Sequence, residues 1–156
     1  MRELNHHLPA IEDLIPHRGT MLLLDHVLVF EKESTTTEYV PRADAWYADE
    51  LGNMPAWVGI ELMAQTIAAH IGLVKRSEGA PPKQGALLGT RRYASTCSAF
   101  ASGEPLRIDA KMIYRDTSGL AAYECRIAVG GNQVASATLK VFEPVDFQSF
   151  LEASRP

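Results

Sequence analysis

The feature that most constrains this chain is the stretch from residue 54 to residue 74. It is apolar enough and long enough to cross a bilayer, yet it carries Glu61, Gln65 and His70. Pro55 suits a first helical turn, and Asn53 or Met54 suits the cap before it. Its apolar residues (Trp57, Ile60, Met63, Ile67 and Ile71 among them) run around the whole helical circumference. Such a helix is buried on all sides or sits in a membrane. Three polar residues at mid-span speak against a lone bilayer helix. The remaining reading is a core helix, wrapped by the rest of the chain.

The rest of the chain supplies strands to wrap it. Residues 21–30 form a dense apolar run with β character, and residues 35–40 are β-branched and end at Pro41. A short helical turn is expected at 11–15, ended by Pro16, and an irregular loop at 42–53. After a polar loop over 75–83, residues 84–95 read as a strand interrupted by Gly85 and Gly89. Leu106, Ile108, Ala110, Met112 and Tyr114 alternate with Arg107, Asp109, Lys111 and Arg115. The same period of two continues through 121–129 and 134–141, with turns at 116–119 and 130–132. These are antiparallel strands with one wet face. Residues 146–151 suit a short terminal helix. The expected architecture is α+β, one domain over 1–156, with an antiparallel sheet wrapped around one long helix and a second subunit closing the remaining side.

Composition narrows the function. The 156 residues hold 15 Lys+Arg against 19 Asp+Glu, a net charge of −4, with no basic arm, which excludes a nucleic-acid footprint. Cys97 and Cys125 make neither a disulfide framework nor a zinc site, and no phosphate loop or nucleotide fingerprint appears. No metal and no cofactor is expected. The first ten residues lack an apolar segment, so no signal peptide is read and a cytoplasmic location is the expectation.

Glu61 is the residue that a buried helix should not contain. A buried carboxylate has to be paired, hydrogen-bonded or held protonated. Gln65, one turn later on the same face, can bond it, while Thr66 and His70 form another pair on the opposite side. The surrounding run Met54-Pro55-Ala56-Trp57-Val58-Gly59-Ile60-Glu61-Leu62-Met63-Ala64-Gln65 resembles the helix start of hotdog-fold 3-hydroxyacyl-ACP dehydratases, in which Met-Pro-Gly leads into Glu-Ala-Met-Ala-Gln. Residues 14–27, with Pro16-His17-Arg18, resemble the family's N-terminal Leu-Pro-His-Arg block. Leu87-Leu88-Gly89 with Arg91-Arg92, and Gly103-Glu104-Pro105-Leu106, match two later blocks in order. The resemblance spans residues 11 to about 142. It is nearest the divergent dehydratase-like proteins of aryl-polyene biosynthetic clusters, which carry a similar Pro-Ala-Trp block.

The resemblance implies a fold, a reaction and a site. In the family a helix carboxylate protonates the leaving hydroxyl, a His removes the α-proton, and a backbone N–H at the helix start holds the thioester carbonyl. Glu61 takes the carboxylate position. The amides near Ala56 and Trp57 are the candidate carbonyl clamp, with Ala56 standing where the family has Gly. The family's His-bearing block has no counterpart here, since residues 46–53 contain no His. Tyr47 lies nearest by register, and His17 is the best substitute by type. Trp46, Trp57 and Gln65 are candidates to line the substrate site. His26 is read as structural, and Asp49 and Glu50 as solvated loop residues.

The function this implies is dehydration of carrier-protein-bound or CoA-bound 3-hydroxyacyl thioesters in fatty-acid or polyene-type biosynthesis. The alternatives are a hotdog acyl thioesterase, or a non-catalytic subunit paired with an active dehydratase. The expected assembly is a homodimer, or a heterodimer with a related hotdog subunit. Arg91, Arg92 and Arg115 are candidate contacts for an acidic carrier.

Overall fold

The computed structural model describes residues 8–80 and 86–143. The expected terminal helix at 146–151 lies outside them. Strands β1 (His26–Glu31), β2 (Ser34–Tyr39), β6 (Leu106–Arg115), β7 (Leu120–Val129), β8 (Asn132–Phe142) and β4 (Ala86–Ser95) form a six-stranded sheet in the order β1-β2-β6-β7-β8-β4. All its neighbouring pairs are antiparallel. A two-stranded ribbon pairs β3 (Met54–Pro55) with β5 (Ala99–Phe100). Helix α1 (Gly59–Ser77) lies on the large sheet, so the expected layout of one helix against an antiparallel sheet is the observed one.

The alternation read along the strands places the core. Leu106, Ile108 and Ala110 point inward from β6, as do Cys125 and Ile127 from β7 and Ala135, Ala137, Leu139 and Val141 from β8. From β2 the inward residues are Thr35, Thr37 and Tyr39, two of them polar, and each finds a polar partner. The alternation fails at Tyr114, which faces solvent and donates to Asp116. The ladder with β7 slips between Met112 and Tyr114, and a bulge of this kind reverses the side on which later residues emerge.

Two long-range contacts reshape what local sequence suggests. Residues 21–30 are not one strand. Gly19–Met21 is a 3-10 turn, and the strand begins only at His26. The cause is the side chain of Gln65. Its Oε1 accepts from the amides of Leu23 (3.0 Å) and Leu24 (3.5 Å), and its Nε2 donates to the Met21 carbonyl (2.7 Å). Backbone groups satisfied by a side chain have no need of a ladder partner. The N-terminal segment also crosses α1 closely at Gly72, where an added Cβ would fall 2.6 Å from the Leu14 carbonyl oxygen.

The helix itself begins later and ends later than its pattern suggests. Met54–Pro55 pairs with β5, and a 3-10 turn over Ala56–Val58 precedes the α-helix. At the other end α1 continues to Ser77, with Lys75 buried and its ammonium 3.6 Å from the Glu143 carboxylate. The most apolar 18 residues within Ala56–Ser77 have a mean hydropathy of 1.3 and are 61% buried inside the fold, so their apolar character serves the core. The segment is not buried on all sides, however. Trp57 is exposed, and Ile60, Glu61, Ala64, Ala68 and Ile71, which share its face, are only half-buried. The chain's own sheet leaves this stripe uncovered.

Candidate active site at the helix start

Glu61 stands in the first turn of α1, on the uncovered stripe. Its side chain is 40% exposed and therefore not sealed in the core as the apolar pattern implies. Gln65 Nε2 donates to Glu61 Oε2 at 3.0 Å, the pairing expected from their spacing. The amide of Gln65 is fully buried and also holds the N-terminal segment, so it fixes the carboxylate and that segment together.

That segment delivers His17. Its Nε2 lies 3.6 Å from Glu61 Oε2, with the His side chain 27% exposed. Arg18 sets the turn, donating from Nη1 to the carbonyls of Ile15 (2.8 Å) and His17 (2.6 Å) and from Nη2 to that of Glu12 (2.7 Å). Arg18 is a residue of the motif to which sequence reasoning assigned no task. His17 Nδ1 is buried and has no hydrogen-bond partner among the described residues, so no protein carboxylate or carbonyl there selects its tautomer.

Tyr47 is placed differently. Its hydroxyl shares a 2.5 Å hydrogen bond with the Tyr39 hydroxyl and accepts from the Arg42 amide at 2.9 Å. Burial, and then the Tyr47 hydrogen bond, push the Tyr39 hydroxyl well above the ordinary phenol range. The pair pins the loop between β2 and β3 to the core. Trp46, packed edge-on against Tyr47, donates from Nε1 to the Thr20 carbonyl at 3.0 Å, tying the same loop to the turn after His17. Asp49 is a loop brace, its Oδ1 accepting from the amides of Leu51 and Asn53 at 2.9 Å each.

Of the two amides read as a carbonyl clamp, one is already engaged. The Ala56 N–H donates to the Ser98 carbonyl at 2.9 Å, extending the β3–β5 pairing. Trp57 follows it in the opening turn, where an amide has no acceptor one turn behind. Trp57 is 62% exposed, and its position is one helical turn before Glu61. The Ala56 carbonyl accepts from the Tyr93 hydroxyl. Tyr93 was not singled out by sequence, because the register slip in β4 between Arg91 and Ala94 sets its direction.

The remaining candidates divide clearly. His26 pairs with Glu38 at 3.0 Å on the surface. His70 is buried, bonded through Nδ1 to Thr35 Oγ1 at 2.7 Å. Arg91 and Arg92 are exposed on β4, whereas Arg115 is held by the buried Glu143 carboxylate at 3.4 Å. Among the described residues no group of three or more His, Cys, Asp or Glu could hold a metal ion.

One long helix packed on a large antiparallel sheet is the architecture of a hotdog-fold protein. Within that class the chain belongs to the ApeP-like dehydratase family, whose model, described as ApeP dehydratase, matches residues 9–152. It is 30% identical over 140 residues to the 3-hydroxyacyl-[acyl-carrier-protein] dehydratase FabZ of Vibrio atlanticus (strain LGP32), covering 83% of this chain and 88% of that protein. The dehydratase heterocomplex ApeI:P of Xenorhabdus doucetiae superposes with a TM-score of 0.87 at 22% identity, over 96% of this chain and 100% of that one. A hypothetical thioesterase from Streptococcus pneumoniae TIGR4, solved with coenzyme A, shares the fold at a TM-score of 0.58 and 18% identity, over 76% of this chain and 84% of that one.

Proposed function

We propose that the protein acts in the dehydration of carrier-bound 3-hydroxyacyl thioesters to 2-enoyl thioesters, in polyene-type or fatty-acid biosynthesis in the cytoplasm. The observation that carries this reading is the placement of Glu61 on an uncovered helix face, fixed by Gln65, one turn after an opening amide at Trp57. The thioester carbonyl accepts from that amide, which the positive end of the helix favours. A base takes the α-proton, the C3–O bond breaks, and protonated Glu61 gives its proton to the departing hydroxyl, releasing water. Gln65 and His17 both approach Oε2, and Oε1 is assigned the proton transfer.

The base is assigned to His17 or to a histidine of a second hotdog subunit. The second option is favoured by one distance. His17 and Glu61 sit beside each other at 3.6 Å, closer than two groups that bracket a substrate between them. A heterodimer in which this chain supplies the acid and the clamp and its partner the base accommodates that distance. The solved ApeI:P heterocomplex is a precedent among similar structures. The uncovered stripe from Trp57 to Ile71 is assigned to this subunit interface, with Trp46 and Trp57 at the rim of the substrate entrance.

The test is product analysis by intact mass of a 3-hydroxyacyl carrier, with the protein alone and mixed with a related hotdog dehydratase subunit. The reading expects loss of one water with the thioester intact. Release of the free 3-hydroxy acid with no enoyl product contradicts it in favour of a thioesterase.

A further inference from the structure

We infer that Tyr93 is a positioning residue for the thioester carbonyl, acting through the peptide that joins Ala56 to Trp57. The inference rests on the dehydratase reading above and extends it to how the clamp is built. The Tyr93 hydroxyl donates to the Ala56 carbonyl, which also accepts from the Gly59 amide. That carbonyl and the Trp57 N–H belong to one planar trans peptide unit, so holding the oxygen aims the N–H in the opposite direction. A donor on the carbonyl also polarises the unit and strengthens its N–H as a donor. The Ala56 amide, on the previous peptide, is fixed by Ser98. The two peptides at the helix start are therefore held from the same segment, residues 93–98.

Three features of the chain exist to make this contact possible. The ladder between β4 and β8 slips between Arg91 and Ala94, and Arg92 takes a φ of 56°, rare for a residue with a side chain. A bulge of this kind re-aims the next side chain, here Tyr93, towards the helix start. Gly59 leaves the room it needs, since a Cβ there would fall 2.5 Å from the Tyr93 hydroxyl oxygen. The segment beyond is anchored in turn, with the Thr96 amide donating to the Val134 carbonyl at 2.8 Å and Ser95 Oγ to the Cys97 carbonyl at 2.7 Å. Burial pushes the Tyr93 hydroxyl up to about 12, so it stays protonated and able to donate through neutral pH.

The test uses Tyr93→Phe, which keeps the ring and removes the donor. A saturated acyl-pantetheine thioester, carbon-13-labelled at its carbonyl, reports the clamp through its infrared stretch when bound. The wild-type protein should lower that frequency relative to water, and Tyr93→Phe should return it part of the way. Turnover of a 3-hydroxyacyl carrier, in the assembly that is active, should fall roughly tenfold in kcat with KM little changed, less than the loss of a direct oxyanion donor. Gly59→Ala should produce the same loss by displacing the hydroxyl, and should add little in the Tyr93→Phe background. An unchanged stretch and kcat in Tyr93→Phe, or additive losses in the double variant, overturn the inference while wild-type turnover leaves the dehydratase reading standing. No turnover and no carbonyl shift in the wild-type protein overturn both.

Discussion

Two histidines meet polar partners along α1, His17 from the N-terminal segment near its start and His70 on the helix itself, and their surroundings differ sharply. Near the start, His17 meets Glu61 at 3.6 Å on a face the chain leaves half open. In the last third of the helix, His70 is 1% exposed, bonded to Thr35 and packed edge-on or tilted against Phe30 and Tyr123 at 5.7 and 5.9 Å. Burial lowers the His70 imidazole to about 4, partly offset by a hydrogen bond with the backbone at Lys32 and reinforced by the charge of Arg115. A ring held neutral and fully packed contributes to stability and is closed to proton exchange with a substrate. The His17 ring, 27% exposed beside a carboxylate that is 40% exposed, stays within reach of solvent. A cavity of about 470 Å³ does lie beside His70, lined by Phe30, Ile71, Val74, Met112 and Tyr123. Its lining also holds Glu31, Glu33, Glu78 and Arg115, and Arg115 is engaged by the buried Glu143 carboxylate at 3.4 Å.

The sharpest break in this contrast comes from Glu61→Gln. Turnover of a 3-hydroxyacyl carrier should fall by about 10²–10⁴, the usual worth of a general acid. The melting temperature should stay nearly constant, because the half-exposed carboxylate makes no buried contact that the amide cannot replace.

Gln65→Leu should act on both activity and stability. It strands the buried Leu23 and Leu24 amides and releases the part-buried Met21 carbonyl, at a cost of about 2–4 kcal/mol in chemical denaturation, given about 1–3 kcal/mol for each buried unsatisfied group. It should also lower turnover by freeing the His17 segment from Glu61.

The far end answers to pH. Between about 6.5 and about 4 the unfolded chain protonates this imidazole and the folded one does not. Stability then rises with pH across that window, is complete above it, and is lost as pH falls. The loss reaches roughly 3 kcal/mol at its limit. His70→Gln should flatten this part of the stability profile relative to the wild-type protein, while turnover at pH 7.5 stays the same. The smallest expected effect belongs to Thr35→Val, which removes the hydroxyl from His70 Nδ1 and should cost about 1 kcal/mol with turnover unchanged.

The same contrast shows what the sequence made legible. Glu61 and Gln65 could be paired on paper because both lie on one helix at a fixed spacing. The strands of the large sheet were legible because alternation reports burial directly, until the bulge between Met112 and Tyr114 reversed it. His17 was legible only through its motif, since its approach to Glu61 depends on Arg18 folding the turn and Gln65 holding the segment. The engagement of the Ala56 amide was hidden, because it depends on residue 98 returning beside β3. Tyr93 was hidden for the same kind of reason. Its direction comes from a positive φ at Arg92, which no side-chain pattern announces.

The central claim is that Glu61 gives its proton to the leaving hydroxyl. The most direct measurement compares Glu61→Gln on two carrier-bound substrates, one with a 3-hydroxyl and one with a 3-acetoxy group, whose departure needs no acid. The account predicts that elimination of water falls by about 10³ while elimination of acetate stays within about tenfold of the wild-type rate. Equal losses on both substrates would contradict it, and would make Glu61 a base or a structural carboxylate.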